Sequence, residues 1–149
     1  MTKIEQAVSF GRCISVLYRQ SQTFFSKKLQ PYRIGSGQYA VLIALEKHNG
    51  VNQERLSTIL GLDKANITRA VTKLQNEGYI IRKPDAEDKR VWHIFLTEKG
   101  NDILPVLLGI LNEWSSKIVE GLSSHQVNLL ANDLVKMAEN LGYEWTDNL

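Results

Sequence analysis

Cysteine is all but absent from this chain of 149 residues, and Cys13 is the only one. A lone thiol excludes an internal disulfide and any multi-cysteine zinc site. Long apolar runs are missing too. No stretch approaches the roughly 18 uninterrupted apolar residues of a membrane-spanning helix. The opening residues, Met1 to Gln6, carry no apolar signal-peptide core. There is no glycine-rich phosphate loop, no nucleophile elbow and no metal-spaced cluster. His48, His93 and His125 lie far apart, and no His-x-x-x-His pair marks a helix. These absences argue against an enzyme and against a cofactor or metal, and they predict a cytoplasmic protein that does not engage a membrane. Charge of one sign is also scarce. A formal net charge of +2 permits nucleic-acid binding without demanding it, so that case rests on where the charges sit.

What is present is an ordinary balance of 43% hydrophobic and 23% charged residues, enough for one domain with a hydrophobic core. Thr2-x-x-Glu5 is a capping box. Ile4, Val8, Gly11, Ile14, Leu17 or Tyr18, Phe25 and Leu29 follow at helical spacing, and the helix is expected to stop before Pro31. Ile34-Gly-Ser-Gly37 is turn-like, and Gln38–Glu46 predicts a short helix closed by His48-Asn-Gly50. Asn52 and Asp63 are good N-caps for helices over Gln53–Leu60 and Lys64–Glu77. After Gly78 the period changes. Tyr79–Arg82 and Arg90–Leu96 are β-prone, and the polar stretch Lys83–Lys89 between them predicts a hairpin. Thr97 caps a further helix to about Glu120, with Pro105 as a candidate break. Ser123-x-x-Gln126 opens a last helix whose stripe is Val127, Leu130, Leu134, Met137 and Leu141.

Helix, glycine turn, helix and hairpin in this order form a winged helix-turn-helix. In such a unit the second helix enters the major groove. If Ile67, Val71 and Leu74 face inward, the outer face carries Ala65, Thr68, Arg69, Thr72 and Asn76, with Lys64, Asn66 and Lys73 beside them. Arginine suits guanine, asparagine suits adenine, and threonine suits bases or phosphates. Such a face also occurs on many solvated helices; the capped turn before it and the hairpin after it favour DNA. In the hairpin loop, Asp88 is placed to orient Arg90 by a charge-assisted hydrogen bond, leaving the arginine to enter a narrow minor groove. His93, beside Trp92, reads as a packed strand residue. The winged unit is complete without the terminal helices, so their leftover apolar stripes predict a homodimer.

Leu56–Asp63, Ile67–Leu74, Glu77–Arg82, Asp85–Arg90 and Leu96–Gly100 together resemble the MarR (multiple antibiotic resistance regulator) family, over nearly the whole chain. The wing pattern Asp-x-Arg is matched by Asp88, Lys89 and Arg90. The resemblance implies a mainly α fold with a small β-hairpin wing, in which residues 1–149 form one domain. Residues 35–100 would be the winged helix-turn-helix, and 1–31 and 101–149 the dimerisation helices. It implies a sequence-specific regulator, a repressor in the usual case, on a palindromic operator in double-stranded DNA, with Lys89 and Arg90 on the DNA. It also implies a small phenolic or carboxylate effector. Candidate ligand residues are Tyr18, Arg19, Phe24, Phe25 and Tyr39, each of which could equally fill core or interface. One branch of the family senses peroxides through a first-helix cysteine, which makes Cys13 a redox candidate, although it sits out of register with that branch's cysteine. The remaining alternative is a winged helix that binds protein. The basic and polar outer face of Lys64–Asn76, with Arg90, discriminates against it.

Overall fold

The computed structural model describes residues 2–144. Those residues form six helices, α1 (Lys3–Leu29), α2 (Tyr39–Lys47), α3 (Gln53–Leu60), α4 (Lys64–Asn76), α5 (Glu98–Ile118) and α6 (Ser124–Asn140), and a hairpin of β1 (Ile80–Pro84) and β2 (Trp92–Leu96). The chain divides into two units, residues 1–36 and 37–149.

In the first unit, Thr2 accepts the Glu5 amide while the Glu5 carboxylate accepts the Thr2 amide, so the capping box forms. The helix ends at Leu29, and Pro31 lies in a 3-10 turn over Gln30–Tyr32. Ile4, Val8, Phe10, Ile14, Leu17 and Tyr18 are exposed along α1.

In the second unit, the core is built by α2 to α5 and the hairpin. Val41, Leu42, Leu45, Leu56, Ile67, Val71, Leu74 and Ile94 have no accessible surface. All four helices α3 to α6 start on a side-chain cap, from Asn52, Asp63, Thr97 and Ser123. Each oxygen satisfies an amide that the first helical turn leaves unpaired. Helix α2 starts one residue later than expected and has no such cap. Pro105 lies inside α5 without ending it. Its ring is on the exposed face, and the surrounding Ile103, Leu104, Leu107 and Ile110 are buried, so packing outweighs the one missing ladder bond.

The hairpin pairs Ile80 with Leu96 through to Pro84 with Trp92. Its strand bounds differ from those expected by one or two residues. Lys83 and Pro84 belong to β1, because proline is tolerated at the end of an edge strand. Arg90 and Val91 lie in the turn, because the Asp88 carboxylate takes the Arg90 amide (3.0 Å) and the Asp88 carbonyl takes that of Val91 (2.9 Å). The other edge of β2 is also paired. The Gly50 amide donates to Ile94 O (2.8 Å), the Ile94 amide to Val51 O (2.9 Å) and the Leu96 amide to the Asn49 side chain (2.9 Å). At the far end of the unit, the Tyr143 hydroxyl donates to Ile59 O (3.3 Å), and its ring lies against Gly61 in the turn between α3 and α4.

Gly100 shows how closely α5 meets the hairpin. A Cβ there would stand 2.1 Å from the Tyr79 carbonyl oxygen, which also accepts the Thr97 amide. That neighbour is backbone and cannot swing away. Gly109, in the same helix, has open space around it. Gly100→Ala should therefore lower stability by about 1–3 kcal/mol, the usual cost of overpacking. Gly109→Ala should be neutral or stabilising, since alanine is the better helix former. Chemical denaturation of the two variants checks this, and equal stabilities would refute the close approach.

Candidate nucleic-acid interface

The outer face of α4 exists because the inner one is fully committed. Ile67, Ala70, Val71 and Leu74 are buried at i, i+3, i+4 and i+7. Lys64, Ala65, Asn66, Thr68, Arg69, Thr72, Lys73 and Asn76 are all exposed, so the structure brings the α4 residues named from the sequence onto one surface.

That surface is partly ordered by its own hydrogen bonds. Asp63 accepts the Asn66 amide (2.8 Å) through one oxygen and the Asn66 side-chain amide (2.5 Å) through the other. The Asn66 backbone bond, above all, holds the Asp63 carboxyl below its ordinary value. Asn66 in turn accepts from the Arg69 guanidinium (2.6 Å). The helix cap thus aims an arginine two steps away. Thr68 donates to Lys64 O (2.8 Å) and accepts from Gln53 on α3 (3.1 Å). Lys73 pairs with Glu77 at 3.8 Å. Gln53 did not stand out in the sequence, because contact between residues 15 apart needs the turn geometry.

On the wing, Arg90 lies against Asp88, Nε at 3.0 Å from one oxygen and Nη2 at 2.9 Å from the other. The pair raises the guanidinium's pKa and lowers the carboxyl's. The Arg90 side chain is nevertheless 91% exposed, so it is held in direction while open to solvent. Lys89 is exposed beside it.

Asp85 and His93 are the residues that sequence reasoning missed. One Asp85 oxygen accepts the amides of Glu87 (2.8 Å) and Asp88 (3.0 Å), and the other faces His93 Nε2 at 2.8 Å. His93 Nδ1 lies 2.7 Å from Gly50 O. His93 is a half-buried residue of β2, as expected, and its ring also bridges two acceptors. The loop amide of Asp88, followed by the His93 ring, brings the Asp85 carboxyl down to about 2. Asp85, followed by the Gly50 carbonyl, raises His93. Asp85-x-x-Asp88 was the available signal, since an aspartate at a loop start commonly accepts amides two and three residues on.

The ligand and redox candidates occupy other places. Tyr18 and Arg19 are exposed on α1, with Arg19 bonded to Ser15. Phe25 is buried and meets Phe24 edge-on at 5.4 Å, and Lys28 lies over the Phe24 ring. Tyr39 opens α2 in the second unit. Cys13 is exposed on α1. Among the described residues no group of three His, Cys, Asp or Glu side chains is placed to hold a metal ion, and no helix is long and apolar enough to cross a membrane.

Residues 34–92 match the model of the MarR family. A MarR transcriptional regulator from Methanosarcina mazei Go1 is 41% identical, with a TM-score of 0.81 over 88% of this chain and 94% of that one. The HTH-type transcriptional regulator BilQ of Clostridioides difficile (strain CD3) is 28% identical over 87% of each chain. A MarR family transcriptional regulator from Listeria monocytogenes, solved in complex with a 26mer DNA, is 27% identical, with a TM-score of 0.82 over 90% of this chain and 89% of that one.

The wing's polar bridge carries a pH signature. Asp85 has its carboxyl lowered, so its contribution to stability is present above 3.8 and lost as pH falls through about 2. His93 is raised, so its contribution is complete below 6.5 and lost as pH rises through its higher folded value. The two overlap between 3.8 and 6.5. Scanning calorimetry across pH should show Asp85→Asn losing most stability relative to wild type inside that window. A constant difference at every pH would dismiss the bridge as a titrating element.

Proposed function

The chain belongs to the MarR family of transcriptional regulators, and on that footing we propose that it binds a two-fold operator in duplex DNA as a homodimer. The outer face of α4 lies in the major groove and the wing-tip Arg90 enters the neighbouring minor groove. One observation carries the reading. A helix whose inner face is wholly buried turns Arg69, Thr72 and Asn76 outward, next to a wing whose arginine is aimed by Asp88 and left open. Major-groove readers present their second helix this way, and a narrow minor groove attracts arginine. The relative from Listeria monocytogenes that was solved with a 26mer DNA supports the choice of ligand.

Dimerisation rests on apolar surface within each unit. In the first, Ile4, Val8, Phe10 and Ile14 are exposed on α1; in the second, Leu130, Leu134 and Met137 are exposed on α6, with Leu141 just after it. A second copy that covers these faces assigns residues 1–31 and 101–149 to assembly and 35–100 to reading. A two-fold axis sets the two α4 helices about one DNA turn apart, roughly 34 Å.

Gel-shift titration against duplexes from the region upstream of its own gene tests the whole reading. Binding should be saturable and should weaken steeply with salt, because phosphate contacts release counterions. No shift at low salt would leave a protein-binding winged helix as the better account. Arg90→Ala should weaken binding about tenfold or more without loss of folding, since the side chain is almost wholly exposed. Arg69→Ala should relax preference between sequences. A uniform loss across all sequences would make Arg69 a phosphate contact instead.

A further inference from the structure

The wing-tip arginine is the last link of a continuous polar chain. It begins at the Gly50 carbonyl, in the turn between α2 and α3, and passes through His93 to Asp85. From Asp85 it continues through the Asp88 amide to the Asp88 carboxylate and ends on Arg90. The first link is fixed by its backbone. The Gly50 amide donates to Ile94 O and the Ile94 amide to Val51 O, so hydrogen bonds to β2 on either side hold the Gly50 carbonyl in place. The rest of the tip loop is tied to itself, through the Asp85 amide on Val91 O (2.8 Å) and the Val91 amide on Asp88 O (2.9 Å). His93 is thus the side chain that joins this loop to the turn before α3.

The protonation state of the ring follows from its partners. A carbonyl oxygen only accepts, so Nδ1 must carry a hydrogen. The Asp85 carboxyl is brought down to about 2 by loop amides and by His93 itself, and is therefore ionised at neutral pH. It too only accepts, so Nε2 must also carry a hydrogen. A ring that donates from both nitrogens is the imidazolium. A neutral ring keeps one donor and must give up one of the two anchors.

We propose that His93 and Asp85 are positioning residues of the wing, and that protonation of His93 sets the affinity which Arg90 contributes to operator binding. With the imidazolium the loop is pinned and Arg90 is presented ready to bind. With the neutral ring the loop comes loose from the turn and Arg90 must be ordered by the DNA itself. Affinity therefore falls as pH rises through the folded-state value of His93, which lies above 6.5. Asp85 faces the His93 ring from the loop, and Lys83 stands opposite it in the β1 register with its ammonium over Phe95. His48 lies in the turn two residues before Gly50, and Glu54 lies in the first turn of α3, whose N-cap Asn52 forms a backbone bridge with His93. The inference rests on the DNA reading proposed above and adds to it a positioning pair and a pH response.

The test is fluorescence anisotropy at low salt, from pH 5.5 to 8.5, on a duplex that the wild-type protein selects from a random-sequence pool at pH 6. Circular dichroism at each pH confirms that every variant is folded. Wild type should lose affinity about five- to tenfold across the range. His93→Gln, which keeps one donor and has no titration, should be weaker than wild type at pH 6 and should lose most of the pH slope. Asp85→Asn should move the midpoint to lower pH, since it removes the charge that favours the imidazolium. The deciding variant is Arg90→Ala, which should bind weakly and with little pH slope, because there is no longer an arginine to position. If His93→Gln retains the wild-type slope, the inference is overturned. If Arg90→Ala retains it while His93→Gln loses it, His93 acts as a charge on DNA and its positioning role is overturned. If wild type shows no salt-sensitive binding at any pH, the DNA reading falls and the inference falls with it. Wild-type binding with an unchanged slope in His93→Gln removes the inference alone.

Discussion

Burial of Ile67, Val71 and Leu74 fixes the rotation of α4 about its own axis, and the rest of the interface depends on that rotation. None of the three has accessible surface. A helix turned by one residue, about 100°, would expose one of them and bury a lysine, arginine or threonine in its place. Burying an unpaired charge costs several times what the apolar contact contributes. The outward direction of Arg69, Thr72 and Asn76 is thus imposed by the core.

The polar order on top of that core is local. Asp63, Asn66 and Arg69 form one string, and Asp85, Asp88 and Arg90 form another. In both, an aspartate that caps backbone amides leads to an arginine through one intermediate. The cap at the start of each string is the part least free to move, because it closes backbone donors that have no other partner. Each arginine inherits that constraint. A side chain with many rotamers loses less freedom on binding when its head is already held.

The two strings differed in how much of them could be read from sequence. Helix starts were legible at Thr2, Asn52, Asp63, Thr97 and Ser123, since capping is written in residues three apart. The inner and outer faces of α4 were legible from spacing for the same reason. The Asp88–Arg90 pair was legible because it is two residues long. What escaped was set by contacts across the fold. The Gly50–His93 link spans 43 residues and the Asn49–Leu96 link spans 47. No local period announces them. The hairpin was placed correctly in kind but its strand bounds shifted by one or two residues, because an aspartate's claim on the Arg90 amide delays the start of β2 where β propensity alone would have begun it. The run of α5 through Pro105 was legible as well: the apolar spacing carried the helix on to about Glu120, and four buried neighbours outweigh the local rule against proline.

Tyr143 has a consequence of its own. Its hydroxyl reaches the Ile59 carbonyl and its ring covers Gly61, so the segment just after α6 is pinned to the turn from which α4 departs. One aromatic side chain thus acts as a rivet between the last helix and the turn that sets where the 13 residues of α4 begin.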